Sequence, residues 1–359
     1  MPLPVPKYPE LILTPYPTLP ATKSAEKLLR QLSDKELKTD DTYSVTKAGV
    51  TAPAGKNYLY TLAPYWWECN GKWERRDGQR NPFCDKADGQ KQLQDMSLAL
   101  HTLSFAAQAL GNNDYAERAI KLVRAFFLDE ETKMCPEVLY SQCCLGDDPV
   151  CGDKTFIISS RYLILASQAF RVLPMPDDVA GGVKAWVGAQ LAWIDSSQQG
   201  ADAKASGNNI TDWLHALYAS HLAYLDNAKA QEYAQGVLSS LTGKSPADTF
   251  APELERTRPR HYTQFTLEPL FILAPIAGNG TPPPEVTAWL KGLLEFARTV
   301  PAGELEVDRE ADERFVPGLA WFDRLLARWE GGDVPEQEPD GSAWEGGWNQ
   351  RARLSWALI

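Results

Sequence analysis

Residues able to do chemistry are concentrated in three segments, and the first is a loop rich in aromatic and cationic side chains. Residues 63–90 read APYWWECNGKWERRDGQRNPFCDKADGQ. The candidate ligand-binding residues in this loop are Tyr65, Trp66, Trp67, Arg75 and Arg76. Aromatic faces stack on sugar rings, and guanidinium forks pair with carboxylates. The loop therefore fits a polymer of uronic acids, unless it is a disulfide-closed structural loop whose tryptophans lie in the core.

The second segment, SGNNITDW, contains two adjacent asparagines. The side-chain amide of Asn208 or Asn209 can donate a hydrogen bond to a substrate carboxylate. The same pair before a helix is also typical of a turn and a helix N-cap, with Asp212 in the first turn. Both interpretations remain open from the sequence.

The third segment, ELERTRPRHYTQFTLEPL, combines cations with a tyrosine. Its candidate residues are Arg256, Arg258, Arg260, His261 and Tyr262. A solvated charged loop is the ordinary interpretation of such a run. Because Tyr262 leads directly into an apolar helix, we expect its side chain to face inward. Nearby guanidinium groups favour the phenolate, so we expect the pKa of Tyr262 to lie below its usual value of about 10.

Together the three segments supply what β-elimination from a uronic acid needs. The hydrogen next to the carboxylate is weakly acidic, and its removal is feasible only if the carboxylate charge is neutralised. A base must take that proton, and an acid must protonate the leaving glycosidic oxygen. Amide, arginine and tyrosine side chains can share these roles.

Two other functions fit the same residues. A glycoside hydrolase would need two opposed carboxylates, and the candidates for that pair are Asp77, Asp212, Glu253 and Glu255. A carbohydrate-binding protein without catalysis would need only the aromatic and cationic side chains.

Composition narrows the class of protein. The 359 residues are 44% hydrophobic and carry a formal net charge of −11, which argues against nucleic-acid binding. No apolar run is long enough to span a bilayer, so we expect no membrane partner. The four histidines and six cysteines lack the spacing of metal ligands, so we expect no metal or other cofactor. We expect a monomer with an anionic polysaccharide substrate.

The even number of cysteines favours a secreted protein with disulfides over a cytosolic protein with free thiols. We expect Cys69 to pair with Cys84, which would close the aromatic loop. The cysteines expected to pair among themselves are Cys135, Cys143, Cys144 and Cys151. The start of the sequence shows no signal peptide, as in a chain that has already been processed.

From Ser24 onward, apolar side chains recur at three-four spacing, which predicts helices. These helices must position the candidate residues. Leu93, Met96, Leu100 and Leu103 follow this spacing. Further helical segments are predicted at about 115–128, 156–172, 183–195, 211–225, 228–241, 263–276, 285–298 and 312–329. No stretch demands a sheet, so the prediction is an all-α domain spanning 1–359, built as a bundle, a solenoid or an (α/α) toroid.

Two long loops and an acidic tail interrupt or follow these helices. Long ordered loops such as 63–90 and 134–155 are usually functional. The tail from Glu330 to Asn349 carries Trp344 and Trp348, so we expect it to pack on the body of the domain.

The combination of motifs resembles the alginate-lyase-type polysaccharide lyases that are built as helical toroids. The matching motifs are APYWW with RRDGQRNP, PEVLYSQ, NN followed by Trp213, and ELERTRPRHY with LEPL. They follow the family's order and extend from about residue 57 to 275. The resemblance implies an incomplete (α/α) toroid of helical hairpins, with long loops over a groove that holds a 1,4-linked polyuronate such as alginate or glucuronan.

The resemblance also implies roles for individual residues. Asn209 and Arg256 are expected to neutralise the substrate carboxylate, and Tyr262 to act as catalytic acid and also as base. Asn208 could share the role of Asn209. The residues expected to bind the polymer are Tyr65, Trp66, Trp67, Arg75, Arg76, Tyr140, Gln142, Asn208, Trp213, Arg258 and His261.

The sequence departs from the family at one position. The family usually reads Asn-Asn-His, and that histidine is the expected base, but this chain has Ile210. In mannuronate and glucuronate the proton and the leaving oxygen lie on the same side of the ring, so one tyrosine can reach both. We therefore expect syn elimination by Tyr262 and no activity on guluronate, with His215 or His261 as the alternative base. An inactive homologue is the other interpretation of this position.

Overall fold

The computed structural model describes residues 23–40, 42–147, 149–303 and 319–331. The tail that carries Trp344 and Trp348 lies outside the described residues. Within the described ranges the α-helices are α1 (Lys23–Leu37), α2 (Gly89–Leu110), α3 (Asn113–Val123), α4 (Phe156–Ser160), α5 (Leu163–Val172), α6 (Asp177–Ser196), α7 (Gln198–Lys204), α8 (Asn209–Leu225), α9 (Asn227–Leu241), α10 (Pro246–Leu254), α11 (Pro259–Ala277), α12 (Pro284–Thr299) and α13 (Ala320–Trp329).

The helices form an incomplete (α/α) toroid with an inner and an outer layer. The inner helices α2, α5, α8 and α11 pack on one another in that order. Helix α3 packs outside α2, helices α6 and α9 pack outside α8, and α12 packs outside α11. This alternation of inner and outer helices confirms the predicted all-α fold class.

The burial of side chains follows the two layers. Every residue of α11 from Tyr262 to Ala277 is buried, as is the stretch Leu163–Phe170 of α5. The outer helix α9, in contrast, buries Ala230 and Ala234 together with Leu238, a stripe of positions four residues apart on one face. No helix in the described ranges is both long and apolar enough for a membrane crossing.

The inner helices begin at the same end of the toroid. Ser159, just before α4 gives way to α5, donates to Gln90 at the start of α2 at 2.9 Å. The Arg161 guanidinium lies 5.6 Å from the ring of Trp213 in α8, and that ring packs 5.1 Å from Phe265 in α11. The backbone N–H groups and positive dipole ends of these helices therefore face one region, which favours anionic ligands there.

A β-hairpin lies within the aromatic loop. Strands β1 (Trp66–Cys69) and β2 (Lys72–Arg75) pair antiparallel, with Trp66 opposite Arg75. The turn residues Asn70 and Gly71 have φ values of 55° and 79°. Asn-Gly is the preferred pair for such a two-residue turn, so this local signal for a hairpin was present in the sequence.

All six cysteines are free thiols in the structure. The predicted bond between Cys69 and Cys84 is therefore not formed, and neither are the bonds expected among the other four cysteines. Arg76 Nη2 donates to Cys69 Sγ at 2.9 Å, whereas Cys84 is buried in a separate cluster with Leu62 and Cys143. The sulfur atoms of Cys69 and Cys84 thus have different surroundings, and strand pairing holds the loop without a covalent link.

Candidate active site

Tyr262 lies at the centre of the candidate site, in the first turns of α11. Its ring is buried, and its Oη donates a hydrogen bond to Tyr65 Oη at 2.8 Å. Tyr65 is half-buried and belongs to the aromatic loop, just before β1. The structure therefore joins the first and third sequence segments through two phenols.

The environment of Tyr262 raises the pKa of its phenol. Burial is the main cause, the nearby Tyr65 adds to it, and the charge of Arg256 opposes it. The expectation that arginines would lower this pKa is therefore wrong in its net direction, because removal from water costs the phenolate more than one cation returns. Tyr262 is a neutral phenol in the resting protein.

Arg256 stacks on Tyr262 and is held at its edge by a carboxylate. The guanidinium carbon lies 3.6 Å from the centre of the Tyr262 ring. Arg256 Nε and Nη2 donate to the carboxylate of Asp77, at 3.0 Å to Oδ2 and 2.6 Å to Oδ1. Arg256 Nη1 lies 3.7 Å from Glu253 Oε2. One face and one edge of the fork are thus occupied by the protein itself.

Asn209 is the first residue of α8 and points to Glu253, the second carboxylate beside Arg256. Its backbone N–H and its Nδ2 donate to Glu253 Oε1 at 2.9 and 2.7 Å. Asn208 is the N-cap, because its Oδ1 accepts from the backbone N–H of Ile210 at 3.0 Å. The two asparagines therefore have different roles, since Asn208 caps the helix and Asn209 faces the cluster around Arg256.

The carboxyl groups of Asp77 and Asp212 have pKa values shifted in opposite directions. Asp77 accepts from Arg256 and from Thr257, and these contacts lower its pKa to about 2 although burial opposes them. Burial and the charge of Glu253 raise the pKa of Asp212 to about 7. Glu253 itself is buried, and its Oε2 has no hydrogen-bond partner among the described residues.

The aromatic side chains of the hairpin lie half-buried along the loop. Trp67 Nε1 donates to the carbonyl of Gln79 at 3.0 Å, and Arg76 lies over the Trp67 ring at 5.2 Å. Arg75 Nη2 donates to Asp77 Oδ1 at 2.8 Å. Trp66 lines a small recess beneath the hairpin. The loop is thus connected to the Arg256 cluster by Arg75 and Asp77.

Three predicted binding residues have other contacts. Trp213 is 1% exposed, which leaves no ring face for a sugar, so it supports the site from below. Gln142 is buried in a left-handed backbone conformation (φ 61°), and its amide donates to Ser159 Oγ at 2.8 Å. Tyr140 packs edge-on against Tyr58 at 5.5 Å. The backbone N–H of Gln142 donates to Thr61 Oγ1 at 2.7 Å. Gln142 and Tyr140 thus fix the 134–155 loop against the 57–63 segment.

Only one of the four histidines adjoins Tyr262. The ring of His261 lies 4.9 Å from the ring of Tyr262 and stacks on Phe265. His215 is bonded to Tyr233, and burial lowers its pKa to about 4. His221 is buried between Ser167 and Gln190.

Arg258, a further predicted binding residue, directly precedes α11 and is half-buried beside Thr257.

Comparisons with known proteins identify the family and the fold of the chain. A sequence profile of the family described as Alginate lyase matches residues 44–282, well over half of the chain. Among solved structures, the chain is similar to a crystal structure of an alginate lyase from Bacteroides ovatus. The two share 26% identical residues with a TM-score of 0.75, over 94% of this chain and 93% of the other. No curated protein sequence matches the chain.

Proposed function

The chain belongs to the alginate lyase family of polysaccharide lyases, and we propose that it cleaves a 1,4-linked polyuronate, polymannuronate or glucuronan, by syn β-elimination. The observation that carries the proposal is the meeting of Tyr262, Arg256 and Asn209, which come from the second and third sequence segments. Tyr262 would transfer the proton, and the other two would face the carboxylate. The aromatic loop of residues 63–90 would hold neighbouring sugar rings.

Charge neutralisation can be assigned to particular N–H groups. An asparagine amide has two N–H bonds, and Asn209 gives one to Glu253 Oε1. Arg256 gives its Nε and Nη2 edge to Asp77, which leaves Nη1 on the side of Glu253. A uronate carboxylate placed between Asn209 and Arg256 would accept these remaining donors. The developing negative charge would then be spread over preorganised hydrogen bonds.

The proton path begins with the neutral phenol of Tyr262. We propose that Tyr262 passes its proton to Tyr65 along their 2.8 Å hydrogen bond while Tyr65 releases its own proton to solvent. The phenolate then takes the proton from the carbon that bears the carboxylate. The electron pair left behind forms the C=C bond as the glycosidic C–O bond breaks, and Tyr262 returns the proton to the leaving oxygen.

The absent family histidine supports the choice of substrate. Ile210 is buried in the core, so its position supplies no base from the opposite face of a sugar ring. His261 is the histidine next to Tyr262 and would lie on the same side as the phenol. A single face of proton-transfer groups suits mannuronate and glucuronate, whose proton and leaving oxygen are on one side.

The carboxyl groups do not suit a glycoside hydrolase. Such an enzyme needs two carboxyl groups that flank the glycosidic bond, one of them protonated and the other ionised. Asp77 is held in its ionised form by two arginines, and Glu253 is buried beneath Asn209. Asp212, with its raised pKa, has the property of an acid but has no described opposed partner facing a groove.

The test is a panel of polymannuronate, polyguluronate and glucuronan, followed by ultraviolet absorbance and by reducing-end titration. A lyase product carries a C=C bond conjugated to the carboxylate and absorbs ultraviolet light. We expect absorbance and reducing ends to rise together on polymannuronate or glucuronan and not on polyguluronate. Reducing ends without absorbance would identify a hydrolase, and binding without either signal would identify an inactive homologue.

Three coarser expectations complete the proposal. We propose an extracellular enzyme, because its polymeric substrate does not cross membranes, and cell fractionation would check this. We propose a monomer and a single domain over 1–359, which light scattering and limited proteolysis would check. The free thiols of the structure remove the disulfide argument for secretion, so the proposal for location rests on the substrate alone.

A further inference from the structure

The tip of the aromatic loop is docked on the segment that leads into α11. Gly78 has a φ of 71°, and a Cβ atom on it would lie 2.5 Å from Thr257 Oγ1 and 3.2 Å from Arg258 Cδ. A left-handed conformation and a contact this close both require glycine. The Asp77–Gly78 pair of the RRDGQRN motif therefore serves a close approach between two chain segments, rather than a solvent-exposed turn.

The carboxylate of Asp77 is fully engaged at this contact. It accepts from the Nε and Nη2 atoms of Arg256, from Nη2 of Arg75 and from Oγ1 of Thr257 at 3.2 Å. The backbone N–H of Thr257 also points to it at 3.4 Å. Asp77, with a pKa of about 2, is therefore anionic at neutral pH. Its contacts fix both the position and the rotation of the Arg256 guanidinium.

The orientation of Arg256 depends on this contact. Three sides of the guanidinium are defined: its face lies on the Tyr262 ring, its Nε–Nη2 edge lies on Asp77, and its Nη1 lies towards Glu253. Without the charge of Asp77, Glu253 would be the nearest carboxylate left to Arg256 among the described residues. The fork would then turn its edge to Glu253, and the Nη1 donors proposed for the substrate would be lost.

We propose that Asp77 is a positioning residue of the lyase reaction, which acts through Arg256 and holds its free donors towards the substrate carboxylate. This inference rests on the proposed function. It assigns Asp77 of the RRDGQRN motif to the orientation of Arg256, which lies 179 residues further along the chain.

A double-mutant cycle tests the proposal with Asp77→Asn and Arg256→Lys. Asp77→Asn keeps the shape of the side chain and removes its charge. We expect it to lower kcat about ten- to a hundred-fold with KM changed by less than about threefold, because orientation matters most in the transition state. In the Arg256→Lys background, which lacks the fork, Asp77→Asn should have almost no further effect on kcat. Asp77→Glu should restore part of the lost rate.

The matched control is Asp178→Asn. Asp178 also accepts from an arginine, Arg124, at 2.8 Å, but it is exposed at the start of α6, at the opposite end from the site. Asp178→Asn should leave kcat unchanged. Combined with Arg256→Lys, it should leave kcat equal to that of Arg256→Lys alone. If Asp77→Asn does not fold, Thr257→Val, which removes one donor to Asp77, should give a smaller loss of kcat with the same non-additivity.

The outcomes separate the two proposals. If Asp77→Asn and Arg256→Lys multiply in kcat, or if Asp77→Asn keeps wild-type kcat, Asp77 does not act through Arg256. If the wild type releases no unsaturated product from any polyuronate, the proposed function fails instead. The same cycle is then measured on the affinity for polymannuronate, where additive losses would overturn the positioning role and non-additive losses would support it.

Discussion

Removal of the Tyr262 hydroxyl is the sharpest test of the proposed chemistry, because its structural and catalytic effects differ greatly in size. Tyr262→Phe deletes one oxygen, whose described hydrogen bond goes to Tyr65 Oη. A neutral hydrogen bond contributes about 1 kcal/mol to folding. The ring keeps its packing and the Arg256 guanidinium 3.6 Å from its centre, an interaction that phenylalanine also makes. The free energy of unfolding should therefore fall by about 1 kcal/mol or less.

The expected effect on turnover is much larger. Positioned acid or base catalysis contributes about a hundred- to ten-thousand-fold to a rate. If one phenol performs both transfers, its loss should cost at least about ten-thousand-fold, which corresponds to about 5 kcal/mol in the barrier. Ultraviolet absorbance of the unsaturated product measures turnover, and denaturant unfolding measures stability. Affinity for the polymer should stay close to that of the wild type.

Tyr233→Phe is the matched control for this experiment. Its hydroxyl is bonded to His215 Nδ1 at 2.7 Å, so the variant loses a comparable hydrogen bond outside the candidate site. It should show a similar small loss of stability and full activity. If Tyr262→Phe keeps activity within about tenfold of the wild type, the assignment of Tyr262 is wrong, and His261 becomes the next candidate base.

Three further predictions address the rest of the cluster. The rate should rise with pH from neutral into the alkaline range, because burial raises the pKa of Tyr262 and keeps the phenolate scarce; a pH–rate profile that falls above neutral pH would contradict this. Asn209→Ala should lower kcat about a hundred- to a thousand-fold through loss of one preorganised donor, and steady-state kinetics on polymannuronate would show whether it does. For Asp212 the folded-state pKa of about 7 lies above the unfolded value of about 3.9, so its stability contribution is complete below about pH 4 and is lost as the pH rises towards 7. Asp212→Asn should therefore raise the free energy of unfolding at about pH 8, by up to about 4 kcal/mol, and leave it nearly unchanged at about pH 4, as measured by urea denaturation at both pH values.

The fold was largely predictable because helix formation is encoded in local spacing. The apolar stripe at Leu93, Met96 and Leu100 predicted α2, and the predicted segments 211–225, 228–241 and 285–298 overlap α8, α9 and α12 closely. Helix α10 had no prediction, since nine residues that include Pro252 give little periodicity. The helical spacing does not predict the hairpin around Asn70 and Gly71, for which the Asn-Gly pair is a local signal.

The candidate site was predictable only in part. The sequence named Asn209, Arg256 and Tyr262 by resemblance, and the structure places all three in one cluster. From the sequence, Asp77 and Glu253 fit the carboxyl pair of a hydrolase, because nothing local shows that each contacts the same arginine. The resemblance predicted Trp213 and Gln142 as binding residues, yet both side chains are buried and make contacts within the protein.

By itself the sequence determined the helical class, the family and the residue types available for chemistry, because periodicity and short motifs are properties of neighbouring residues. Tertiary structure alone decided which charges meet and how strongly each is buried. Asp77 reaches Arg256 only because the toroid brings the aromatic loop to the start of α11. Burial of Tyr262 raises the pKa of its phenol, whereas the sequence predicted a lowered pKa. Electrostatic energies depend on distances through space and on removal from water, and neither quantity is a function of position along the chain.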